Sequence, residues 1–328
     1  QGAVGSGAVT AGAPGGAVAA TNAAAARGPR HPHVVVVGDA LIDELRDERG
    51  VREIVGGAAL NVAVGLRELG VPATLVAMIG DDAAGERIRA HLREHGVALI
   101  ETISPLGTAR AASTRDAAGE PAYVFNDAAQ ARRIRFAEAA REAMADAAAV
   151  VISCFPFDDG PQAAELAEAL AETAAIIAID ANPRAGMLHD RAAFVAGFEA
   201  LAPDAALLKV GDDDAALLYG ATLDELRERL IALGTPVVVA TRGAEGATID
   251  AEGVTVSAPA SQLPGSIVDT MGAGDATLAS LVAELVQHSA PSDRPGWRAA
   301  LERAMDIAAA TCRAEGALLR HPATSGAG

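Results

Sequence analysis

The apolar residues alternate between two periods from position 33 onward. Residues 33–38 read His-Val-Val-Val-Val-Gly, a β-branched run that predicts a buried strand. Residues 58–69 are apolar at helical spacing and are followed by Gly70 and Pro72, which are typical of a helix end. The alternation predicts further strands at 74–79, 150–153, 176–180, 207–210 and 237–241, and further helices at 83–95, 161–172 and 223–233. Repeated β-α units indicate a parallel sheet covered by helices on both faces.

Two stretches interrupt this alternation. Residues 45–55 and 108–125 are short, alternating and punctuated by turn residues, so they predict hairpin strands. We expect them to form a small β-sheet lid from segments at about 44–57 and 106–126. The predicted fold class is therefore α/β: a three-layer α/β/α sandwich with a mostly parallel central sheet and a small β-sheet lid.

The ends of the chain differ from its middle in composition. Residues 1–32 are rich in Gly, Ala and Pro and lack the basic and leucine-rich regions of a signal peptide, which predicts a flexible tail. We expect one domain at 33–322 and a short C-terminal tail at 323–328.

Charge and cysteine content limit the class of function. The chain has 26 Lys and Arg residues against 43 Asp and Glu residues, a net charge of −17, which argues against a nucleic-acid partner. No apolar run is long enough to predict a membrane span. Cys154 and Cys312 are too few to hold a fold of this size together and are not at metal-ligand spacing. A cytoplasmic, reducing location is the resulting expectation.

The strongest local motif is a glycine-rich turn before a helix. Residues 269–275 read Asp-Thr-Met-Gly-Ala-Gly-Asp and are followed by an amphipathic stripe. The unpaired N–H groups of a helix start favour an anion such as phosphate, and Asp275 could take a proton from an attacking hydroxyl. Alternatively, Asp275 only complements the helix dipole.

Residues 269–276 resemble the C-terminal signature of the ribokinase-like (PfkB) carbohydrate kinase family, and residues 56–70, Gly-Gly-Ala-Ala-Leu-Asn-Val-Ala-Val-Gly-Leu-Arg-Glu-Leu-Gly, resemble its N-terminal signature. Other segments agree with the family in the same order: 38–43, 79–85, 180–184, 241–246 and 312–317. The resemblance covers roughly residues 33–322 and implies the family's ribokinase-like fold and kinase activity. It is nearest to fructokinases and 2-keto-3-deoxygluconate kinases.

The resemblance implies a catalytic group. Asp275 matches the base that deprotonates a hydroxymethyl group of the sugar. The backbone amides that match the anion hole for the γ-phosphate are those of Gly272, Ala273 and Gly274. Met271 stands where the family commonly has Thr. This departure from the family's pattern does not remove a reacting group.

The resemblance also implies sugar-binding residues, namely Asp43, Gly57, Asn61 and Asp275. A carboxylate and an amide on rigid elements can form paired hydrogen bonds with vicinal hydroxyls. Without the resemblance, Asp43 reads as a turn residue and Asn61 as a helix-surface residue. Arg110, in the second lid hairpin, is a candidate for binding an acidic substrate group, and the alternative is that it pairs with lid acids such as Glu53.

The positions that match nucleotide contacts are Lys209, Thr241, Gly243, Gly246, Gly272, Gly274 and Ala309. Asp214 takes the place of the family's Glu that organises Mg²⁺ through water, while Gly211 replaces an Asn or Ser. Alternatively, Asp212 only caps the helix that follows it. The cofactors implied are ATP and Mg²⁺, with a monovalent cation such as K⁺ as a further candidate because some relatives need one.

The expected function is phosphorylation of a small sugar, with fructose or a related ketose first. The alternatives are a sugar-acid or sugar-phosphate kinase, and a catalytically weak sugar-binding member. Exposed lid strands often pair with another chain, so a homodimer through the lid is expected. A Rossmann dehydrogenase is disfavoured because the first strand leads into Gly-Asp-Ala-Leu-Ile, which lacks Gly-x-Gly-x-x-Gly.

Overall fold

A computed structural model describes residues 32–47, 50–115 and 121–322 of the chain. The predicted tail at 1–32, apart from Pro32, and the predicted tail at 323–328 lie outside the described residues.

A large sheet of nine strands forms the centre of the molecule. Its strands are β1 (Val34–Gly38), β4 (Ala73–Gly80), β5 (Ala98–Ser104), β8 (Ala149–Ser153), β9 (Ile176–Asp180), β10 (Leu207–Gly211), β11 (Val237–Thr241), β12 (Ala247–Ala251) and β13 (Val254–Ala258). Their order is β13-β12-β11-β10-β9-β8-β1-β4-β5. All neighbours are parallel except β11-β12 and β12-β13, which are antiparallel. The predicted mostly parallel sheet is confirmed.

Helices cover both faces of this sheet. They are α1 (Ala58–Glu68), α2 (Ala83–Glu94), α3 (Asp127–Gln130), α4 (Glu138–Asp146), α5 (Gly160–Ala171), α6 (Arg191–Leu201), α7 (Asp212–Asp214, continued by a π-helical turn at Ala215–Tyr219), α8 (Leu223–Ala232), α9 (Ala273–His288) and α10 (Arg294–Thr311). Short 3₁₀ turns lie at Ala185–Met187 and Gly243–Glu245.

Strand β1 explains the two layers of helices. Val34 and Val36 pack into the core formed with α1, α2, α9 and α10, whereas Val35 and Val37 pack into the core formed with α4, α5, α6 and α8. Successive side chains of a strand point to opposite faces, so a continuous apolar strand needs a helical layer on each side. The predicted three-layer sandwich is therefore confirmed.

A second sheet lies over one edge of the cleft described below. It contains β2 (Leu41–Asp47), β3 (Gly50–Gly56), β6 (Arg110–Arg115) and β7 (Pro121–Phe125), in the order β3-β2-β6-β7. The central pair β2-β6 is parallel, and the outer pairs are antiparallel hairpins. Strands β3, β6 and β7 fall within the two segments for which the sequence predicts a lid, whereas β2 begins at Leu41, before the predicted start at about 44. In the part of the chain that the structure describes, no helix is long and apolar enough to cross a membrane.

Candidate active site

A cleft of about 610 Å³ lies where the small sheet meets the carboxyl ends of the large sheet's strands. The loops after β9, β10 and β11 and the start of α9 line one side, and residues of β2, β6 and β7 line the other. Ligands of open α/β sheets bind outside the carboxyl ends of the strands. The cleft is therefore the candidate active site.

Glycine shapes the start of α9. Gly272 is the N-cap, with a φ of 76°, and a β-carbon there would lie 2.1 Å from the carbonyl oxygen of Ala317. Only glycine fits such a position without strain. Gly272 and Gly274 line the cleft, while the N–H of Ala273 donates to the carbonyl of Thr270 at 3.4 Å. The helix start therefore faces the cleft with the positive end of its dipole, as an anion site requires.

Asp275 lies in the first turn of α9 and is 7% exposed. Its Oδ2 accepts a hydrogen bond of 2.8 Å from Nδ2 of Asn61 on α1. Burial raises the pKa of Asp275 to about 6, the nearby charge of Asp180 adds to that rise, and the Asn61 hydrogen bond opposes it. A carboxylate with a pKa near neutrality is suited to accept a proton at working pH.

Only one of the two polar atoms in the Asn61 side chain has a hydrogen-bond partner among the described residues. Its Oδ1 is buried and has no hydrogen-bond partner among the described residues, although its Nδ2 is bound to Asp275. Buried polar atoms are rarely left unpaired, because each one costs the desolvation of that group. The residue lines the cleft, so its amide group stands beside the space that a ligand would fill.

Asp43 lines the cleft on the small sheet. A β-carbon on Gly56, which is opposite Leu41 on the neighbouring strand, would lie 2.2 Å from Oδ2 of Asp43, so glycine is needed there for the carboxylate to fit. Burial raises the pKa of Asp43 to about 7, and the charge of Asp39 adds to that rise. Gly57, with a φ of 114°, joins this strand region to α1 and also lines the cleft. The structure thus brings all four predicted sugar-binding residues other than Arg110 into one cleft.

Arg110 lies outside the cleft. Its Nη1 donates to Glu44 at 2.8 Å and to Glu53 at 2.6 Å. In the register of β2 and β6, Ala111 is opposite Asp43 and lines the cleft, so Arg110 points to the other face of the small sheet. The expectation that Arg110 contacts substrate does not fit this placement, and pairing with lid acids does.

Two charged residues, one lining the cleft and one buried beside Lys209, have no role assigned from the sequence. Asp180 ends β9 and is fully buried, and its Oδ2 accepts a 2.9 Å hydrogen bond from Nζ of Lys209 on β10. Arg184 follows β9 and lines the cleft, where its charge interacts with Asp275 and Asp39. The sequence feature that could identify Asp180 and Arg184 is the polar segment Asp-Ala-Asn-Pro-Arg at 180–184, at the end of a predicted strand.

The predicted nucleotide-binding residues fall into two groups. Lys209, Thr241, Gly243, Gly272 and Gly274 line the cleft. Gly246 and Ala309 are not among the cleft-lining residues.

The position of Gly246 has a structural reason. A β-carbon on Gly246 would lie 2.1 Å from the carbonyl oxygen of Ala258, and its own carbonyl accepts from the N–H of Arg242 at 2.8 Å. Gly246 therefore closes the loop between β11 and β12.

The residues after β10 allow a test of fit for Mg²⁺. Asp212, Asp213 and Asp214 all line the cleft, and Oδ2 of Asp214 accepts the backbone N–H of Gly211 at 2.7 Å. Burial raises the pKa of Asp214, and Asp180 adds to that rise. Among the described residues, no three His, Cys, Asp or Glu side chains converge on one point as a protein-only metal site requires. Mg²⁺ typically binds through one or two carboxylates, waters and substrate phosphates, and these aspartates fit that mode.

The two departures from the family's pattern also lie in the cleft. Gly211 and Met271 both line it. Gly211 precedes α7 and donates its N–H to Asp214, so the helix begins at Asp212 rather than being capped by it.

The chain was compared with known proteins. Residues 31–323 match the pfkB family of carbohydrate kinases. A fructokinase from Rhizobium leguminosarum bv. trifolii is 30% identical over 264 residues, which are 77% of this chain and 79% of that protein.

Solved structures agree on the fold. A double mutant of the fructokinase from Vibrio cholerae O395, with fructose, ADP and potassium bound, superposes with a TM-score of 0.75 at 19% identity, covering 89% of this chain and 96% of that one. The aminoimidazole riboside kinase from Salmonella enterica, complexed with aminoimidazole riboside and an ATP analog, has a TM-score of 0.71 at 23% identity, covering 88% and 97%. The chain has both signatures and the ribokinase-like fold, and the family match covers nearly the whole described region. It therefore belongs to the pfkB family of carbohydrate kinases.

Proposed function

We propose that this protein transfers the γ-phosphate of ATP to a hydroxymethyl group of a small neutral sugar, with fructose as the first candidate. The observation that carries the proposal is the position of Asp275, which is bound to Asn61 and stands in the first turn of a glycine-capped helix that faces the cleft. A base and an anion site within one helical turn are what a phosphoryl transfer to an alcohol needs.

Each group has one task in this reaction. Asp275 accepts the hydroxyl proton while that oxygen attacks the γ-phosphorus, and the bond to the β-γ bridging oxygen breaks to release ADP. The N–H groups at the start of α9, next to Gly272 and Gly274, stabilise the charge on the transferred group. Asn61 holds the carboxylate of Asp275, and Asp43 and the amide group of Asn61 hold sugar hydroxyls.

The charge of the cleft favours a neutral sugar over a sugar acid. Arg184 interacts electrostatically with Asp39, Asp43 and Asp275, so carboxylates already offset its positive charge. A substrate carboxylate or phosphate would compete with these groups at close range. Arg110, the other candidate for binding an acid, is engaged by Glu44 and Glu53. Fructokinase activity in the Rhizobium leguminosarum relative agrees with a ketose.

A substrate panel tests the proposal. ADP release would be measured with Mg·ATP and ketoses, aldoses, 2-keto sugar acids, sugar phosphates and nucleosides. We expect fructose or another neutral ketose to give the highest kcat/KM. A preference for a sugar acid or sugar phosphate would reassign Arg184 to substrate binding, and no turnover with any compound would leave the sugar-binding alternative suggested by Gly211 and Met271.

The variant Asp275→Asn tests the base. General-base catalysis typically contributes about 10²- to 10⁴-fold, so kcat should fall by at least about 100-fold while ATP binding persists. Asp306→Asn, on α10 and outside the cleft lining, is the matched control and should keep wild-type turnover. Near-normal turnover by Asp275→Asn would refute the mechanism.

For the cations, we propose Mg²⁺ held at the nucleotide phosphates, with Asp214 acting through a water ligand. When bound, Mg²⁺ would neutralise phosphate charge. Chelation with EDTA should abolish turnover and added Mg²⁺ should restore it. K⁺ stays a candidate, and comparing rates in KCl with rates in tetramethylammonium chloride tests it.

For the assembly, we propose a homodimer through the face of the small sheet that points away from the cleft. Val51 and Val124 are 60% and 64% exposed on that face, which supports an apolar contact. Val124→Glu should convert a dimer into a monomer in sedimentation velocity. A wild-type monomer at assay concentration would contradict this proposal.

For the location, we propose a reducing, cytoplasmic compartment, supported by two cysteines that are both free thiols, Cys154 and Cys312. Unchanged thermal stability with and without a reductant would agree with this.

A further inference from the structure

The only lysine of the chain is buried beside the proposed site of phosphoryl transfer. Lys209 is 6% exposed, and a β-carbon placed on Gly274 would lie 3.2 Å from its Nζ. The ammonium therefore lies under the first turn of α9, next to the N–H groups that face the cleft. Gly274 leaves the space that the ammonium occupies.

A buried ammonium needs a carboxylate to remain charged. Asp180, which is fully buried, supplies it with Oδ2 at 2.9 Å from Nζ. The pair joins two neighbouring parallel strands, since Lys209 of β10 is opposite Asp180 of β9 in the sheet register. The contact is therefore fixed by the sheet and not by flexible loops.

Other charged residues lie near Lys209 and Asp180. Asp214 on α7, Asp275 on α9 and Arg184 after β9 all interact electrostatically with this cluster. Burial lowers the pKa of Lys209, and the charges of Asp180 and Asp214 more than offset that effect. Because Asp180 is also the only one of these groups hydrogen-bonded to Nζ, it controls both the position and the charge of the ammonium within the described residues.

We propose that Asp180 is a positioning residue of the kinase: it holds the ammonium of Lys209 against the start of α9, so that the cation stabilises the phosphoryl group during transfer. This inference rests on the proposed function. It assigns Asp180 no contact with substrate. Its Oδ1 is buried without a hydrogen-bond partner among the described residues, so within them the carboxylate is anchored by its hydrogen bond from Lys209 alone.

The kinetic test uses four variants: Asp180→Asn, Asp180→Glu, Lys209→Met and the double variant Asp180→Asn/Lys209→Met. If Asp180 acts through Lys209, each single change should lower kcat by about 100-fold, as loss of one oxyanion donor does, with little change in KM for the sugar. The double variant should be no slower than Lys209→Met alone, since groups that act as one unit are not additive. Multiplicative losses in the double variant would overturn the proposal.

A pH profile separates positioning from simple structural support. In Asp180→Asn the ammonium loses its partner, so the pKa of Lys209 should fall and activity should decline on the alkaline side, where the wild type is still active. Asp180→Glu keeps the charge but moves the carboxylate, so it should lower kcat without the new alkaline limb. A pH profile of Asp180→Asn parallel to that of the wild type would overturn the proposal.

Two controls keep the outcomes distinct. Asp250→Asn removes a carboxylate on β12 that pairs with Arg227 and does not line the cleft, and it should leave kcat unchanged. Thermal unfolding of every variant identifies those that do not fold, and Asp180→Ala, which also removes the charge, then replaces Asp180→Asn in both tests. Wild-type kcat in a folded Asp180 variant would refute only the positioning role, whereas no turnover by the wild type would refute the proposed function and this inference with it.

Discussion

The two cleft carboxylates proposed to bind the sugar and to accept its proton both have pKa values near neutrality. Burial raises the pKa of Asp43 to about 7 and that of Asp275 to about 6. A charged Asp43 binds hydroxyls more strongly than a neutral one, and Asp275 must be ionised to act as a base. We therefore expect log kcat/KM for the sugar to rise with a slope approaching two at low pH and to level off above about pH 7.

The variant Asp43→Asn separates the two ionisations. It should leave one ionisation with a midpoint near the pKa of Asp275, so the limiting slope falls from two to one. It should also raise KM about 10- to 100-fold, the range for loss of a hydrogen bond to a charged group. Initial rates between about pH 5 and about pH 8 measure both effects. An unchanged slope would mean that Asp43 does not need to be ionised.

The same burial has a cost in stability. Because the folded-state pKa of Asp275 lies above its unfolded value, the folded state binds more protons between about pH 4 and about pH 6, and stability falls as the pH rises through that window. Asp275→Asn removes this penalty. We expect this variant to unfold at a higher temperature than the wild type at pH 8, with a smaller difference at pH 4. An equal difference at both pH values would point to packing instead.

At the residue level, local motifs predict only part of this site. Asp275 and Asn61 lie in two recognisable motifs, although their 2.8 Å contact joins positions 214 residues apart. The role of Asp180 depends on β9 lying beside β10, which no local pattern encodes. The placement of Arg110 depends on strand register, because a shift of one residue would turn it toward the cleft.

At the level of elements, α1 and α9 have to pack closely for Asn61 to reach Asp275. A β-carbon on Gly65 of α1 would lie 3.1 Å from the β-carbon of Ala279 on α9. We expect Gly65→Leu to push the helices apart, destabilise the protein by about 1–3 kcal/mol and lower kcat. Gly160→Leu, at a helical glycine with open space around it, is the matched control and should change neither. Chemical denaturation and initial rates measure both, and equal effects of the two substitutions would contradict this packing argument.

The hydrophobic pattern did not predict some of the strands and helices, and the structure shows why. Strand β5 is the edge of the large sheet and is mostly exposed or half-buried, so it lacks a buried apolar run. The hairpin β12-β13 turns at Glu252 and Gly253, both with positive φ, a pair that is a weaker turn signal than Asn-Gly or Asp-Gly. Helix α6 follows its N-cap, Asp190, and contains both apolar and charged residues. These elements complete the sheet and its cover but contribute few residues to the cleft.

At the level of the whole molecule, alternating strands and helices were enough to predict the layers, whereas strand order was not. Strand β1 lies between β8 and β4, so elements far apart in sequence meet in the centre of the sheet. This order brings the segment after β1, with Asp39, close to the segment after β9, with Arg184. The cleft is thus a product of chain topology, and it is acidic because aspartates outnumber the two basic residues, Arg184 and Lys209, in its lining.

The two sides of the cleft should respond separately to ligands. Asp43 stands on the small sheet, whereas Thr241 ends β11 of the large sheet. A ligand at about 100 times its Kd stabilises the folded state by about 2.7 kcal/mol, which for a protein of this size raises Tm by about 5 °C. We expect the sugar substrate and Mg·ATP each to raise the Tm of the wild type.

Two variants should each lose one of these two ligand-induced rises in Tm and keep the other. Asp43→Asn should lose most of the sugar-induced rise and keep the rise with Mg·ATP, because the substitution removes a carboxylate on the sugar side only. Thr241→Val replaces a hydroxyl, which donates to the carbonyl of Val210 at 3.3 Å, by a methyl group on the nucleotide side, so it should show the reverse pattern. Differential scanning fluorimetry at a series of ligand concentrations measures all four shifts. If Asp43→Asn weakened the shift with Mg·ATP as strongly as the shift with sugar, then the small sheet would bind nucleotide as well, and the assignment of the two sides would be wrong.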